Sequence, residues 1–258
     1  MARLTRVATW RTHRIAGIVA VTALLAGACG DDDDQGAAPD DTVPASITTT
    51  TREVNFGGLE IPEIPGTFPA GLPSIGFGIA VPQGWQATVL TEEALERLRD
   101  ATLNQPSFLD AAETVAASGA VFYAAGVDAD GRVGELKVDV QDATDTSPDS
   151  VAALATAVAD TDGLFDVQVV DDPDSGRVRV DYRFRAESAD GDGTIESFGS
   201  QLFVPDGDRL WSFIVTSEDQ ASQDALLAIF AASITFCPAD GELATCSRSS
   251  SAAPTTVP

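Results

Sequence analysis

One histidine, His13, one lysine, Lys137, and three cysteines are all that 258 residues offer of the side chains that most often do nucleophilic or acid–base chemistry. His13 falls in an amino-terminal stretch that reads as an export signal, so its removal leaves no imidazole. Ser-His-Asp, Cys-His and His-ligated zinc chemistries then lack their general base or ligand. Lys137 stands between Glu135 and Asp139 on the polar face of a predicted strand, where a solvated cross-strand ion pair accounts for it better than Ser-Lys catalysis. Carboxylate pairs are the remaining resource, but no spacing among the 40 acidic residues singles one out. The chain is therefore read as not an enzyme, with no catalytic residue and no cofactor. A carboxylate-based hydrolase is kept as the third of three functional readings.

A long apolar run is also lacking. Met1 to Arg14 carries Arg3, Arg6, Arg11 and Arg14 and no acid, and Ile15 to Ala26 is uncharged and mostly apolar. A dozen such residues is a secretory h-region, too short for a comfortable permanent span. Ala26-Gly27-Ala28 then precedes Cys29, an arrangement that resembles a bacterial lipobox, with Ala26 where such motifs favour Leu. The expectation is a signal peptide over 1–28 and a lipidated Cys29 that anchors the chain to the extracytoplasmic face of the cell membrane. The alternative is an ordinary signal cut near Ala28, with Cys29 incidental. Cys237 and Cys246 lie close together around a Pro-Ala-Asp-Gly turn and are expected to pair as a disulfide, which an oxidising compartment permits.

Positive charge is scarce as well. Beyond residue 28 there are 11 basic residues against 40 acidic ones, a balance of −29. Such a chain repels nucleic acid and anionic headgroups. Residues 29–68, with "DDDDQGAAPDDTVPASITTTT" and "IPEIPGTFPAG", are rich in Asp, Thr, Pro and Gly, and read as a disordered tether. Its root-mean-square reach is about 35 Å. Residues 69–236 form one domain, and 237–258 a cystine loop and low-complexity tail.

Within the domain, "GFGIAVPQGW" reads as a strand stopped by a turn. "LTEEALERLRDATL" reads as a helix capped by Thr91, and "PSFLDAAETVAAS" as a second one. "AVFYAAGV" and "VGELKVDV" form a hairpin, and Ser147 with Pro148 opens a third helix. Strands follow at "LFDVQVV", "RVRVDYRFRAE", "TIESFGSQLFVP" and "RLWSFIVTS", then a last helix ending in "SITF". Tight turns between these strands predict an α+β fold with an antiparallel sheet flanked by helices. The "VPQGW" opening at Val81 to Trp85, "LWSFIVTSE" at Leu210 to Glu218 and "SITF" at Ser233 to Phe236 resemble the PsbP-like fold, in particular bacterial lipoproteins of the LpqN type. That resemblance implies a helix-flanked antiparallel sheet and brings no catalytic residues with it.

Two surface features invite a site. "DADGRVGELK" is acidic, but an EF-hand register puts Gly126 and Lys137 at the essential end positions, so no metal site is assigned and only weak calcium binding is entertained. Alternation in "RVRVDYRFR" sends Arg177, Arg179, Arg183 and Arg185 to one face as a candidate docking stripe. Pairing with Glu196, Asp166 or Asp139 is the structural alternative. Trp85 and Trp211 are expected in the core. The main functional reading is a membrane-anchored, non-catalytic adaptor for an envelope protein. The alternative is a lipid- or glycan-binding protein that holds a small amphiphilic ligand in an apolar cleft between helix and sheet.

Overall fold

The computed structural model describes residues 53–248 except 57, 102–105, 129–130, 144, 173–175, 188–192 and 238–246. The stretch expected to be a leader, Cys29, the aspartate run, Cys246 and the residues after Arg248 lie outside the described residues. Strands β1 (Glu53–Phe56) and β2 (Leu59–Pro62) pair as a hairpin, followed by β3 (Thr67–Leu72), β4 (Phe77–Pro82) and β5 (Gln86–Val89). Helices α1 (Glu92–Ala101) and α2 (Pro106–Ala117) precede β6 (Phe122–Val127) and β7 (Val133–Asp142). After α3 (Pro148–Ala159) come β8 (Phe165–Asp172), β9 (Arg177–Glu187), β10 (Thr194–Asp206) and β11 (Arg209–Ser217), then α4 (Gln220–Ser233), β12 (Thr235–Phe236) and β13 (Ser247–Arg248).

The helix starts are those expected. Thr91 Oγ1 accepts from Ala94 N at 3.3 Å, and Ser147 Oγ accepts from Ser150 N at 3.4 Å with Pro148 in the first turn. These caps satisfy amides that have no partner inside the helix.

Seven antiparallel strands form the main sheet in the order β5-β6-β7-β11-β10-β9-β8, and a smaller sheet runs β13-β12-β4-β3. One face of the main sheet buries Phe122, Leu136, Trp211 and Phe213 against β4 and α4, whose Phe77, Leu226 and Phe230 complete the main core. The opposite face is covered at its two ends. Helix α3 packs Val151, Ala155 and Val158 on the even residues of β9, and α1 and α2 pack Leu95, Phe108 and Ala112 on Tyr123 and Ala125. The fold is α+β, with antiparallel sheets flanked by helices.

Described strands already occupy the stretch that the composition assigned to the tether. The tether assigned to residues 29–68 therefore does not extend through β1 and β2, because Leu59 and Ile61, at 0% and 1% exposure, form a buried cluster with Ala80 and Cys237. Prolines had disguised these strands as tether. Pro62 ends β2 and Pro69 lies on the edge strand β3, positions where a missing N–H costs no ladder bond.

A second correction concerns the cysteines. No bridge between Cys237 and Cys246 is found among the described residues, where Cys237 is the one cysteine; its sulfur is disulfide-bonded, but Cys246 lies outside them. The described contacts that pin the end of α4 are of another kind. Cys237 N donates to Gly76 O at 2.7 Å, and Arg209 Nη2 donates to Cys237 O at 3.3 Å. Gly76 is required there, having φ +73°, and a Cβ on it would sit 2.9 Å from the Cys237 carbonyl carbon.

Candidate functional site

Each arginine of the stripe has a contact within the chain, while Arg185 is exposed and Arg179 and Arg183 are half-buried. Arg179 pairs with Asp181 at 2.9 Å, and Arg183 bridges Asp166 at 3.2 Å and Glu196 at 3.1 Å while lying 5.1 Å over the Phe198 ring. Arg185 sits 5.6 Å over Phe165. Arg177 is buried beside Asp172, and burial pulls its guanidinium below the ordinary value against the pull of that carboxylate. Two of the three acids expected as partners, Asp166 and Glu196, serve in that role, while Asp139 pairs with Lys137 at 3.4 Å along its own strand rather than across strands. The acidic hairpin turn is also self-contained: Asp128 accepts from Arg132 N at 2.9 Å and from Ser222 Oγ at 2.8 Å. Among the described residues there is no cluster of three or more metal-ligating side chains. Trp85 and Trp211 are core residues at 6% and 0% exposure.

The cleft lies elsewhere, at the open end of the main core. Strand β5 is the edge of the large sheet and β3 the edge of the small one, and the two edges face each other without pairing. Between them opens a groove of about 470 Å³, within the range of about 300–1,000 Å³ that small-molecule sites occupy. Phe68 and Ala70 come from β3, Ala87 and Val89 from β5, and the floor is Phe122, itself part of the main core. Helix α1 forms the third wall through Ala94, Leu98 and Ala101, one helical stripe. Phe56 from the β1–β2 hairpin closes one side.

Arg97 supplies the groove's one charge, at the rim. Its link to Glu93, 3.7 Å across one helical turn, joins two side chains that are 71% and 80% exposed, so it contributes little and yields readily. Helix α1 itself is tied sideways to α2 by Arg99 and Glu113 at 2.6 Å.

A second, polar feature occupies the opposite face of the large sheet, in the strip that neither α2 nor α3 covers. Glu135, Lys137 and Asp139 of β7 lie beside Thr216, Ile214 and Ser212 of β11. Tyr123 Oη donates to Glu135 Oε1 at 2.9 Å. Burial pushes the Glu135 carboxyl up to about 7, with the phenol's bond opposing it, and burial also raises Asp139 against the pull of Lys137. Glu135 thus holds a proton in the folded chain at pH values where the unfolded chain has lost it. The stability that Glu135 contributes is fully present below about pH 4.5 and is lost as pH rises through about 7. Glu135→Gln is expected to flatten that decline in a pH series of urea unfolding midpoints.

Neither the groove nor this strip was assigned from the sequence by residue. The apolar cleft was expected only as a class, between helix and sheet. Alternation in "TFPAGL" is masked by Pro69 and Gly71, and "QATV" is too short to announce an edge strand.

No family model matches the chain, and no curated protein matches it. Among solved structures it is similar to the solution structure of cyanobacterial PsbP (CyanoP) from Synechocystis sp. PCC 6803, at 13% identity and a TM-score of 0.37, over 68% of this chain and 95% of that one. That likeness carries no inference about what this chain binds.

Proposed function

We propose that this protein is a non-catalytic binding module for a long-chain anionic amphiphile, held in the groove between α1 and the edges of β3 and β5. The observation that carries the reading is the continuity of the groove with the core: Phe122 is both its floor and a core side chain. An acyl chain there would extend the hydrophobic core at roughly 25 cal/mol per Å² of apolar surface removed from water. Arg97 at the mouth selects an acidic headgroup in a chain that otherwise repels anions.

The adaptor reading has its own surface, the open edge strand β8, where Val169 and Val170 are 44% and 41% exposed. Asp166, Asp171 and Asp172 on that strand oppose strand addition, as charges on edges do. The ligand reading is therefore preferred.

The envelope setting belongs to the same proposal. Kinship with LpqN-type lipoproteins rests on the "VPQGW", "LWSFIVTSE" and "SITF" segments, and anchoring rests on Cys29 after Ala26-Gly27-Ala28. Two or three acyl chains hold a protein at a membrane where one does not, each buried CH₂ contributing about 0.8 kcal/mol. Cys29→Ser is expected to move the exported protein from the membrane pellet to the soluble fraction. Retention of a cleaved Cys29→Ser protein in the pellet would rule out the anchor.

Ligand binding is tested with palmitate titrated into the full chain. Saturable binding that weakens in Arg97→Glu is the expected result; equal affinity for palmitate and hexadecanol would remove the headgroup's role.

A further inference from the structure

Antiparallel ladders alternate: every second residue of a strand spends its N–H and C=O on one neighbour, and the residues between point theirs the other way. On an edge strand those groups have no ladder to join. Two bonds fix the alternation on the edges that wall the groove. Gln83 N donates to Gly66 O at 2.7 Å, so Phe68 and Ala70 bond to β4 and the Pro69 carbonyl points away from it. Leu90 N donates to Val121 O at 2.9 Å, so Gln86 and Thr88 bond to β6, and the backbone groups of Ala87 and Val89 point outward.

Among the described residues no backbone hydrogen bond joins β3 to β5. The Val89 carbonyl takes a bond from the adjoining Thr88 hydroxyl, at 3.1 Å, in place of a ladder partner. Pro69, Ala87, Thr88 and Val89 all line the groove, and all are half-buried. The apolar floor is thus bordered on two sides by polar backbone. Water serves such groups while the groove is open, and a hydrocarbon chain laid over them removes that water without replacing its bonds. A ligand that fits this groove well brings both a donor and an acceptor to the two edges.

We propose that the amphiphile is an N-acyl amide ending in an acid. Its acyl chain lies on Phe68 and Phe122, its secondary amide meets the free edges of β3 and β5, and its carboxylate sits at the Arg97 rim. A trans amide carries the donor and the acceptor that a strand edge lacks, pointing in opposite directions as they do in a ladder. An ester or a free carboxylate only accepts, and leaves the Pro69 and Ala87 carbonyls without a donor. The assignment rests on the groove being the ligand site, and it narrows what the groove takes.

The test is isothermal titration of the full chain with palmitate, with N-palmitoylglycine, and with O-palmitoylglycolate, the ester that has an oxygen in place of the N–H. N-palmitoylglycine is expected to bind about tenfold more tightly than the glycolate. It should also slow hydrogen exchange at the Ala87 amide, which palmitate should leave fast. N-palmitoyl triglycine distinguishes the two sources of such an amide: tighter binding than N-palmitoylglycine identifies an acylated peptide end, and equal binding a free N-acyl amino acid. Equal affinity for amide and ester, or an unchanged Ala87 amide in the N-palmitoylglycine complex, would overturn the amide assignment while saturable palmitate binding upheld the groove. No saturable binding of any of these ligands would overturn both.

Discussion

Ala87→Trp is expected to abolish palmitate binding while leaving the protein folded. Ala87 is half-buried on β5, opposite Ala124 in the ladder, and its side chain faces the groove with Val89 and Phe122 behind it. An indole at that position occupies the volume an acyl chain would take. The loss should reach at least tenfold in Kd, about 1.4 kcal/mol. An edge strand accepts an aromatic residue easily, so the melting temperature should move little. Isothermal titration with palmitate, alongside a thermal melt, reads both quantities. Retained affinity in a folded Ala87→Trp protein would place the ligand elsewhere.

Trp211→Ala is expected to give the largest loss of stability in the chain. Its ring is 0% exposed and lies 5.2 Å from Phe77 of β4 and 5.0 Å from Phe236 of β12, so one side chain of the large sheet holds the two central strands of the small one. Arg209 covers it at 5.3 Å. Truncating a buried tryptophan to alanine costs about 3–5 kcal/mol, against a total that for ordinary domains is about 5–15 kcal/mol. Urea unfolding should show a much lower midpoint. Palmitate binding should fail in parallel, because β3 hangs from β4 and the groove requires both sheets. The contrast matters: Ala87→Trp separates binding from folding, and Trp211→Ala does not.

The parts of this architecture written in local chemistry were legible in the sequence. Thr91 and Ser147 mark helix starts because a hydroxyl is needed where amides lack partners, and "RVRVDYRFR" announces its two faces because a strand alternates. What could not be read depends on neighbours distant in the chain. Residues 53–72 became strands because Leu59 and Ile61 found Ala80 and Cys237, despite a proline content that argues for a linker. The groove exists because β3 and β5 end two different sheets, which no spacing within either segment encodes. Lys137 shows the same limit in miniature: its ionic partner was expected across the ladder, where Tyr123 and Ile214 stand instead, and Asp139, two residues along the same face, is the one that pairs with it.

The central claim, that the opening between α1 and the two sheet edges holds an acyl chain, is tested most directly by intermolecular NOEs. Protein labelled with ¹³C at alanine, leucine and valine methyl groups and saturated with palmitate should show cross-peaks from the acyl protons to Ala87, Val89, Ala94 and Leu98, and none to the methyl groups of α3. Cross-peaks confined to other methyl groups, or their absence at a palmitate concentration that saturates binding, would contradict the account.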